Sequence, residues 1–158
     1  MTVLLDNTVL SNFSIIRRPD LIRAAFVEQV GTTEQAFQEM LDGITLGKIP
    51  VCDWDWLARI AITPDERMQF ETFHEHLGEG EASCLAVAKT RGYKLATDDK
   101  DARRLARQLG IALTGTLGIL AILVKQGQIG LDEGDRFLHE MVAAGYRSPL
   151  MTLGNILS

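Results

Sequence analysis

The sequence predicts an α/β fold in which helices cover a central, mainly parallel sheet. Short, continuously apolar segments are typical of strands buried on both faces. They alternate along this chain with segments whose apolar residues have helical spacing. Such alternation is the pattern of a parallel α/β sheet. With 158 residues, of which 46% are hydrophobic, the chain is long enough for one domain with a sizeable core.

Apolar spacing and helix-ending residues define the elements of the first half of the chain. Pro19 separates two helical stretches, because proline lacks the N–H that a helix interior requires. Thr63, Pro64 and Glu66 form a capping box that begins a further helix. The predicted elements are a strand at 2–6, helices around 10–16 and 21–26, a weak strand at 27–31, a helix around 36–44, weakly patterned strands around 54–56 and at 59–62, and a helix at 63–77.

Glycines end most of the helices predicted in the second half, as is common at helix C-termini. One of these helices is nearly all apolar, which indicates burial in the core or in a subunit contact. Asp132 is predicted to cap the last helix. The elements are a helix at 80–91, a strand at 93–97, a helix around 102–109, a strand at 111–114, the apolar helix at 116–125, a helix around 132–144, and a tail without clear pattern at 149–158.

Charge and cysteine content narrow the possible partners and the cellular compartment. The net charge of −5 gives no general attraction to nucleic acid, so such a partner requires a local basic patch or a bound metal. Cys52 and Cys84 form no paired framework, which indicates a reduced protein. The first ten residues lack the basic flank of a signal peptide, and the longest apolar run, at 119–124, is too short to span a membrane. We therefore expect a cytoplasmic protein.

Two familiar motifs are incomplete in this sequence. Gly78 and Gly80 begin a G-x-G-x-x-G pattern, but Ser83 replaces the third glycine and a predicted helix, not a strand, precedes it. His74 and His76 are two residues apart and lie on different faces of a helix. A dinucleotide site and a zinc site are therefore both disfavoured.

Six of the 21 acidic residues lie in three short patches, two of which directly follow predicted strands. Because the carboxyl ends of parallel strands lie at one edge of a sheet, patches far apart in sequence can converge there. Converging carboxylates repel one another, and hard oxygen ligands of this kind suit Mg²⁺ or Mn²⁺. The pattern therefore indicates metal-assisted chemistry on phosphate. The patches contain Asp6; Glu79 and Glu81; and Asp98, Asp99 and Asp101.

Each patch also has a purely structural interpretation. Asp6 alone fits a helix N-cap. Glu81 lies in a first helical turn, where the helix dipole stabilises a carboxylate by about 0.3–1 kcal/mol, and Glu79 fits a solvated loop. Asp98 and Asp99 are neighbours at a strand end, so one of them can bind metal while the other caps the next helix. Only the three patches together favour a functional site.

A group of arginines follows the third acidic patch. Arg103, Arg104 and Arg107 share the predicted solvent side of a helix. A charged helix face commonly serves only solvation. Beside an acidic metal pocket, however, these cations would be placed to bind phosphates of a nucleic-acid backbone.

Four short motifs, in this order, resemble those of the PIN domain family of metal-dependent ribonucleases, VapC-like proteins among them. They are LLDNT around Asp6, G-x-G-E-A at 78–82, D-D-x-x-A-R-x-x-A at 98–106, and GTLGIL at 115–120. The resemblance spans about residues 2–126. It implies a three-layer α/β/α sandwich with a central, mainly parallel sheet. We expect a PIN-like nuclease domain at residues 1–146 and a C-terminal tail at 147–158.

The resemblance also assigns roles to residues. Asp6, Glu81 and Asp99 fall on the acids that bind metal in this family, the last within a T-x-D motif. A second acid falls on Glu39, with Glu34 as the alternative, which makes Asp6, Glu39, Glu81 and Asp99 the predicted catalytic set. The predicted supporting residues are Thr8, Asp98 and Asp101.

The function that the resemblance implies is hydrolysis of RNA phosphodiester bonds with Mg²⁺ or Mn²⁺. The ions would lower the pKa of a coordinated water and stabilise the leaving oxygen. The implied partners are single-stranded or structured RNA, an antitoxin protein that neutralises a toxin, and a second copy of the chain, but no membrane. The alternative is a noncatalytic PIN-like module that binds RNA or protein and whose acids are structural.

Overall fold

The computed structural model describes residues 2–157, which form five strands and nine helices. Met1 and Ser158, at which the predicted domain begins and the predicted tail ends, lie outside the described residues. The strands are β1 (Val3–Leu5), β2 (Val30–Thr33), β3 (Ala58–Ile60), β4 (Lys94–Ala96) and β5 (Leu113–Thr114). The helices are α1 (Asn7–Ile15), α2 (Asp20–Ala25), α3 (Glu34–Thr45), α4 (Pro64–His74), α5 (Glu79–Arg91), α6 (Lys100–Gln108), α7 (Thr116–Lys125), α8 (Leu131–Ala143) and α9 (Gly154–Leu157).

The strands form one parallel sheet in the order β3-β2-β1-β4-β5. Leu4 in the central strand β1 lies opposite Gly31 of β2 and Leu95 of β4. The chain builds β2 and β3 on one side of β1 and then continues with β4 on the other. The gap between β1 and β4 is therefore the topological switch point, where open α/β sheets form their ligand crevice.

Helices pack on both faces of the sheet and create two hydrophobic cores. Because side chains alternate along a strand, Val3 and Leu5 enter one core while Leu4 enters the other. The first core is built with α1, α7 and α8, and the second with α5 and α6. This confirms the predicted three-layer α/β fold. In the described part of the chain, no helix is long and apolar enough to cross a membrane.

Local structure agrees with the sequence at the start of α4 and differs at two predicted strands and at the start of α8. The predicted capping box is present: Glu66 N–H donates to the Thr63 hydroxyl at 3.3 Å, and Thr63 N–H donates to Glu66 Oε1 at 2.8 Å. The strand predicted at 27–31 instead runs from Val30 to Thr33, whose side chain caps α3. Residues 54–56 are not a strand; Trp54 is buried, and its indole N–H donates to the Ser14 hydroxyl. Another correction concerns α8, which begins one residue before Asp132, with glycine at its N-cap.

The chain beyond α8 packs against the domain. Gly145 has φ +118°, a conformation that favours glycine, and turns the chain at the end of α8. Leu153 is fully buried in the first core, and its N–H donates to Asp135 Oδ1 at 2.8 Å. Met151 O lies 3.0 Å from His139 Nε2 of α8. The tail predicted to lack pattern therefore contains α9 and a core residue.

Candidate active site

Asp6 lies at the carboxyl end of β1 and is completely buried. It is the N-cap of α1, where its Oδ1 accepts the Thr8 N–H at 2.6 Å. Its Oδ2 accepts a hydrogen bond from the hydroxyl of Thr97, which follows β4. Burial, together with the nearby charges of Glu81 and Asp98, raises the pKa of Asp6 to about 8, against the lowering effect of its hydrogen bonds to Thr97 and Thr8. Asp6 is therefore both a helix cap and a carboxylate with a strongly perturbed pKa.

Glu81 and Glu39 bring two more carboxylates to this edge of the sheet. Burial raises the pKa of Glu81, and the charges of Glu39 and Asp99 add to this increase. Glu39 Oε1 accepts the Gly80 N–H at 2.5 Å, which joins α3 to the start of α5. A Cβ atom at Gly80 would lie 3.0 Å from the Glu39 carboxylate, so this close approach favours glycine within the G-x-G-E-A motif. Glu34, the alternative second acid, lies at the start of α3 with an exposed side chain.

A buried hydroxyl pair also fixes α3 against α5. The Thr33 and Ser83 hydroxyl oxygens are 2.7 Å apart, and the Ser83 hydroxyl donates to the Gly80 carbonyl at 2.8 Å. Thr33 caps α3, so its donor hydrogen is free for Ser83 while its oxygen accepts the Ala36 N–H. These contacts hold the two helices that carry Glu39 and Glu81.

Asp99 lies after β4 and caps α6. Its Oδ2 accepts the Ala102 N–H at 2.8 Å, and its own N–H donates to the Thr97 hydroxyl at 3.1 Å. The same Thr97 hydroxyl donates to Asp6, and the charge of Asp99 contributes to the raised pKa of Glu81, so Asp99 lies near both of these acids. The structure therefore brings the four predicted catalytic acids to one region at the switch point of the sheet.

Asp98 serves a separate network. Its Oδ1 accepts the Thr116 N–H at 2.8 Å, and its Oδ2 accepts Asn12 Nδ2 at 3.0 Å and the Thr116 hydroxyl. Burial raises the pKa of Asp98, while these hydrogen bonds lower it. The Asp98 N–H donates to the Thr8 hydroxyl at 2.9 Å. Asp98 and Thr8 therefore tie the end of β4 to α1 and α7.

The remaining predicted residues are only partly brought to the site. Asp101 is exposed and pairs with Arg104 at 3.0 Å on the surface of α6, so it does not join the acidic group. The Arg103 guanidinium donates from Nη1 to the carbonyls of Thr97 at 2.8 Å and Thr114 at 3.0 Å. The prediction that Arg103 shares the solvent face of its helix is therefore wrong, because the long side chain reaches back to the ends of the strands. Arg107 is exposed as predicted.

An open cleft of about 770 Å³ lies beside the acids. Its lining residues include Glu39, Asp98 and Asp99, and also residues 144–147, which follow α8. Asn12 also lines the cleft and was missed by sequence reasoning. Its position four residues after Thr8, on the same face of α1, is the one signal that would have indicated it.

The donor chemistry of the site fits a divalent cation. Carboxylate oxygens are hard ligands of the kind that Mg²⁺ and Mn²⁺ prefer, and burial makes their negative charge costly without a counter-charge. Within residues 2–157, however, no group of three His, Cys, Asp or Glu side chains is arranged to hold one ion. Backbone N–H groups already donate to Asp6, Glu39 and Asp99. A cation would therefore compete with these internal hydrogen bonds.

Fold and site together define an α/β protein with an acidic pocket at the switch point of a parallel sheet. The family model DUF3368, described as a PIN domain, matches residues 2–158, and the chain belongs to this PIN domain family. PIN domains are generally nucleases and typically use divalent metal ions. No curated protein matches the sequence significantly.

Three solved structures share the fold at low sequence identity. A PilT N-terminus domain protein, SSO1118, from Sulfolobus solfataricus P2 is 17% identical, with a TM-score of 0.54 over 79% of this chain and 92% of that one. PAE2754 from Pyrobaculum aerophilum is 15% identical, with a TM-score of 0.54 over 82% and 91%. VapBC2 from Rickettsia felis, solved bound to a DNA fragment from their promoter, is 12% identical, with a TM-score of 0.53 over 73% and 98%.

Proposed function

We propose that the protein is a metal-dependent endoribonuclease. The observation that carries this proposal is the buried Asp6 carboxylate, whose pKa is raised to about 8 within electrostatic reach of Glu81. A carboxylate buried beside another acid is destabilised unless a cation or proton neutralises it. Membership of a family whose members are generally nucleases gives that cation a chemical purpose. The open cleft beside the acids offers room for an RNA strand.

The roles of the residues follow from their positions. Asp6, Glu81 and Asp99 would hold Mg²⁺ or Mn²⁺, which when bound lowers the pKa of a coordinated water and stabilises the leaving oxygen. Glu39 lies against the start of α5, where it would orient the ion or a coordinated water beside Glu81. Thr97 holds the Asp6 carboxylate through its hydroxyl group.

Cleavage of single-stranded RNA by the purified protein tests this proposal. We expect activity with Mg²⁺ or Mn²⁺ and none with EDTA. Asp6→Asn should reduce the cleavage rate by more than the roughly 10–100-fold that is typical of residues that only support a ligand. Asp65→Asn changes an exposed acid in the first turn of α4 and is the matched control. Full activity of Asp6→Asn would contradict the proposed role of Asp6 and with it the nuclease proposal.

A noncatalytic PIN-like module that binds RNA or protein is the second candidate. It is favoured by the internal hydrogen bonds of the acids and by the lack of a preformed three-ligand group in residues 2–157. Calorimetric titration with Mn²⁺ separates the two functions. Binding heat that is lost in Glu81→Gln supports the nuclease, whereas equal, negligible heats in both proteins favour the module.

We also propose that the nuclease acts in the cytoplasm as a toxin that an antitoxin protein restrains, and that it forms a homodimer. The shared fold with VapBC2 of Rickettsia felis supports the toxin and antitoxin part of this proposal. The two unpaired cysteines, Cys52 and Cys84, fit a reducing compartment. The homodimer is carried over from the resemblance to the PIN domain family. Induced expression of the wild-type chain should arrest growth, whereas Asp6→Asn should not. Light scattering of the purified protein gives its oligomeric state directly. Normal growth during wild-type expression, or a monomer at micromolar concentration, would contradict the corresponding part of the proposal.

A further inference from the structure

The chain after α8 builds one wall of the acidic cleft. Gly145, Tyr146 and Arg147 line the same cleft as Glu39 and Asp99. We refer to residues 145–149 as the 145–149 segment. It belongs to the part of the sequence in which no pattern indicated a site, and its contribution to the cleft is visible only in the folded chain.

A second pocket of about 540 Å³ adjoins the cleft. The two spaces share four lining residues, among them Tyr146. Ser148 and Pro149 extend the wall of the second pocket. The 145–149 segment therefore passes beside the acids first and beside the second pocket next. The shared lining residues are Asp98, Lys100, Tyr146 and Arg147.

The second pocket is rich in positive charge. Lys100, Arg103, Arg107 and Arg147 line it, and Asp98 is the one acid among its lining residues. Arg103 is already bonded to backbone carbonyls. The side chains of Lys100, Arg107 and Arg147 are exposed and available to a ligand. In a protein with a net charge of −5, this concentration of cations beside an acidic site indicates an anionic ligand.

The backbone of the 145–149 segment is anchored at both ends. Tyr146 N–H donates to the Met141 carbonyl at 3.0 Å, and its half-buried ring packs against the first core. Leu150 N–H donates to the Ser148 hydroxyl at 3.1 Å, and Leu153 is fully buried three residues later. Arg147 therefore projects from a backbone that is already ordered, so less conformational entropy is lost when it binds a ligand.

We propose that the second pocket is a phosphate-binding subsite for single-stranded RNA, in which Lys100, Arg107 and Arg147 bind backbone phosphates next to the one held at the acidic site. Contiguity with the acidic cleft favours RNA over an acidic peptide, because one strand can pass from the acids into the basic pocket. Tyr146 lies between the two spaces, where an aromatic side chain can contact an unpaired base. This inference rests on the proposed nuclease function.

Binding of a fluorescein-labelled single-stranded RNA to the Asp6→Asn protein tests the subsite without cleavage. Anisotropy titrations over a series of KCl concentrations give the affinity and its salt dependence. Adding Arg147→Ala should weaken binding several-fold and reduce the slope of log K against log salt by about 0.7 for each phosphate that the protein no longer neutralises. Arg147→Lys should retain most of the affinity, since it keeps the charge. Arg67→Ala, at an exposed arginine of α4 outside both spaces, should leave affinity and slope unchanged.

Several results would overturn the subsite. They are an unchanged affinity and slope in Arg147→Ala, an equal loss in Arg67→Ala, no RNA binding by the parent protein, or binding of a polyglutamate peptide in place of RNA. Circular dichroism of Arg147→Ala shows whether the fold is intact. If RNA binding depends on Arg147 but the wild-type protein does not cleave RNA, the subsite stands and the nuclease proposal fails. If the wild-type protein cleaves RNA and Arg147→Ala binds it normally, the nuclease proposal stands and the subsite fails.

Discussion

At the scale of single residues, Asp6 combines a structural role with an unfavourable ionisation. Its carboxylate caps α1 and accepts the Thr97 hydroxyl hydrogen, so the folded chain depends on its oxygen atoms. Its charge is nevertheless costly, because the group is fully buried near Glu81 and Asp98. Buried charged residues of active sites commonly reduce the stability of the folded protein, because the arrangement that activity requires is not the most stable one.

We therefore expect Asp6→Asn to be more stable than the wild type without metal while it loses activity. The pKa of Asp6 is 3.8 ordinarily and about 8 in the fold, so the wild type loses stability as the pH rises between these values. Asparagine keeps an acceptor for the Thr8 N–H but carries no charge. Thermal unfolding in EDTA should show a gain in melting temperature that grows from about pH 5 to about pH 8. A lower melting temperature at every pH would contradict this explanation.

The pKa of Glu66 is lowered in the folded protein, whereas that of Asp6 is raised. Its carboxylate is 1% exposed and receives both Arg91 Nε at 2.7 Å and Arg91 Nη2 at 2.9 Å, in addition to the Thr63 N–H. The Arg91 hydrogen bonds hold the pKa of Glu66 below its usual 4.5. This contribution to stability is complete above pH 4.5 and is lost as the pH falls through the lower pKa of the folded state.

We expect Glu66→Gln to reduce the free energy of unfolding by about 1–3 kcal/mol at neutral pH, since it removes a charge-assisted pair at a helix cap. The difference from the wild type should shrink as the pH falls below about 4.5. Urea unfolding at several pH values measures both effects. Glu71→Gln, at an exposed position of the same helix, is the control and should change stability little. A difference that does not vary with pH would contradict the role of the charge.

At the scale of secondary structure, the start of α7 is fixed by a close contact with the end of β4. Asp98 receives the first N–H and the hydroxyl of this helix from Thr116. Gly115, the N-cap, has an extended backbone with φ −165°, so its conformation alone does not require glycine. A Cβ there would, however, lie 2.6 Å from Asp98 Oδ1 and 2.9 Å from the Thr97 carbonyl oxygen. Space, not backbone strain, favours glycine at this position.

We therefore expect Gly115→Ala to reduce the free energy of unfolding by about 1–3 kcal/mol through overpacking. Gly130→Ala is the matched control, because Gly130 is the N-cap of α8 and an added Cβ would meet nothing within 4 Å. Both substitutions lose the same N-cap preference, so the difference between them isolates the steric effect. Urea unfolding of the two variants measures it. Equal losses would show that the contact with Asp98 has no energetic consequence.

At the scale of the whole molecule, the sheet order determines which residues meet. The chain adds β2 and β3 on one side of β1 and then β4 and β5 on the other, which makes β1 and β4 neighbours. Residues far apart in sequence, such as Asp6 and Thr97, can therefore form a hydrogen bond. Residues 144–147, near the end of the chain, line the cleft beside the same acids. We therefore expect the predicted domain at 1–146 and the predicted tail at 147–158 to unfold together.

Leu153→Ala tests this coupling. Leu153 is fully buried, and an added Cβ at Gly134 of α8 would lie only 2.7 Å from its Cδ1 atom, which shows how closely it packs. We expect a loss of about 2–5 kcal/mol in a single cooperative transition. Met151→Ala, at a residue that is 55% exposed, should change stability by less than about 0.5 kcal/mol. A negligible effect of Leu153→Ala would mean that the tail folds independently of the domain.

Much of the fold was predictable because local signals agree with it. The apolar β1 segment and the Thr63–Pro64–Glu66 cap each depend on residues close in sequence. The prediction that Asp132 caps the last helix was wrong, because an acidic residue suits both an N-cap and the first turn of a helix. The N-cap of α8 is Gly130, and Asp132 lies in the first turn. The prediction that Arg103 faces solvent was wrong because its long side chain reaches the backbone carbonyls of Thr97 and Thr114. Helical periodicity gives no indication of such contacts.

The sequence by itself determined the alternation of strands and helices and the acidic residues that follow the strands, because these depend on periodicity and on neighbours along the chain. Glu39 was indicated only by resemblance to the PIN domain family. The tertiary structure decided that Glu39 contacts the start of α5, that Asp98 bonds to Asn12 and Thr116, and that the 145–149 segment lines the cleft and the second pocket. The physical reason is that these contacts join residues separated by tens of positions, and only the packing of the sheet and its helices sets the distances between them.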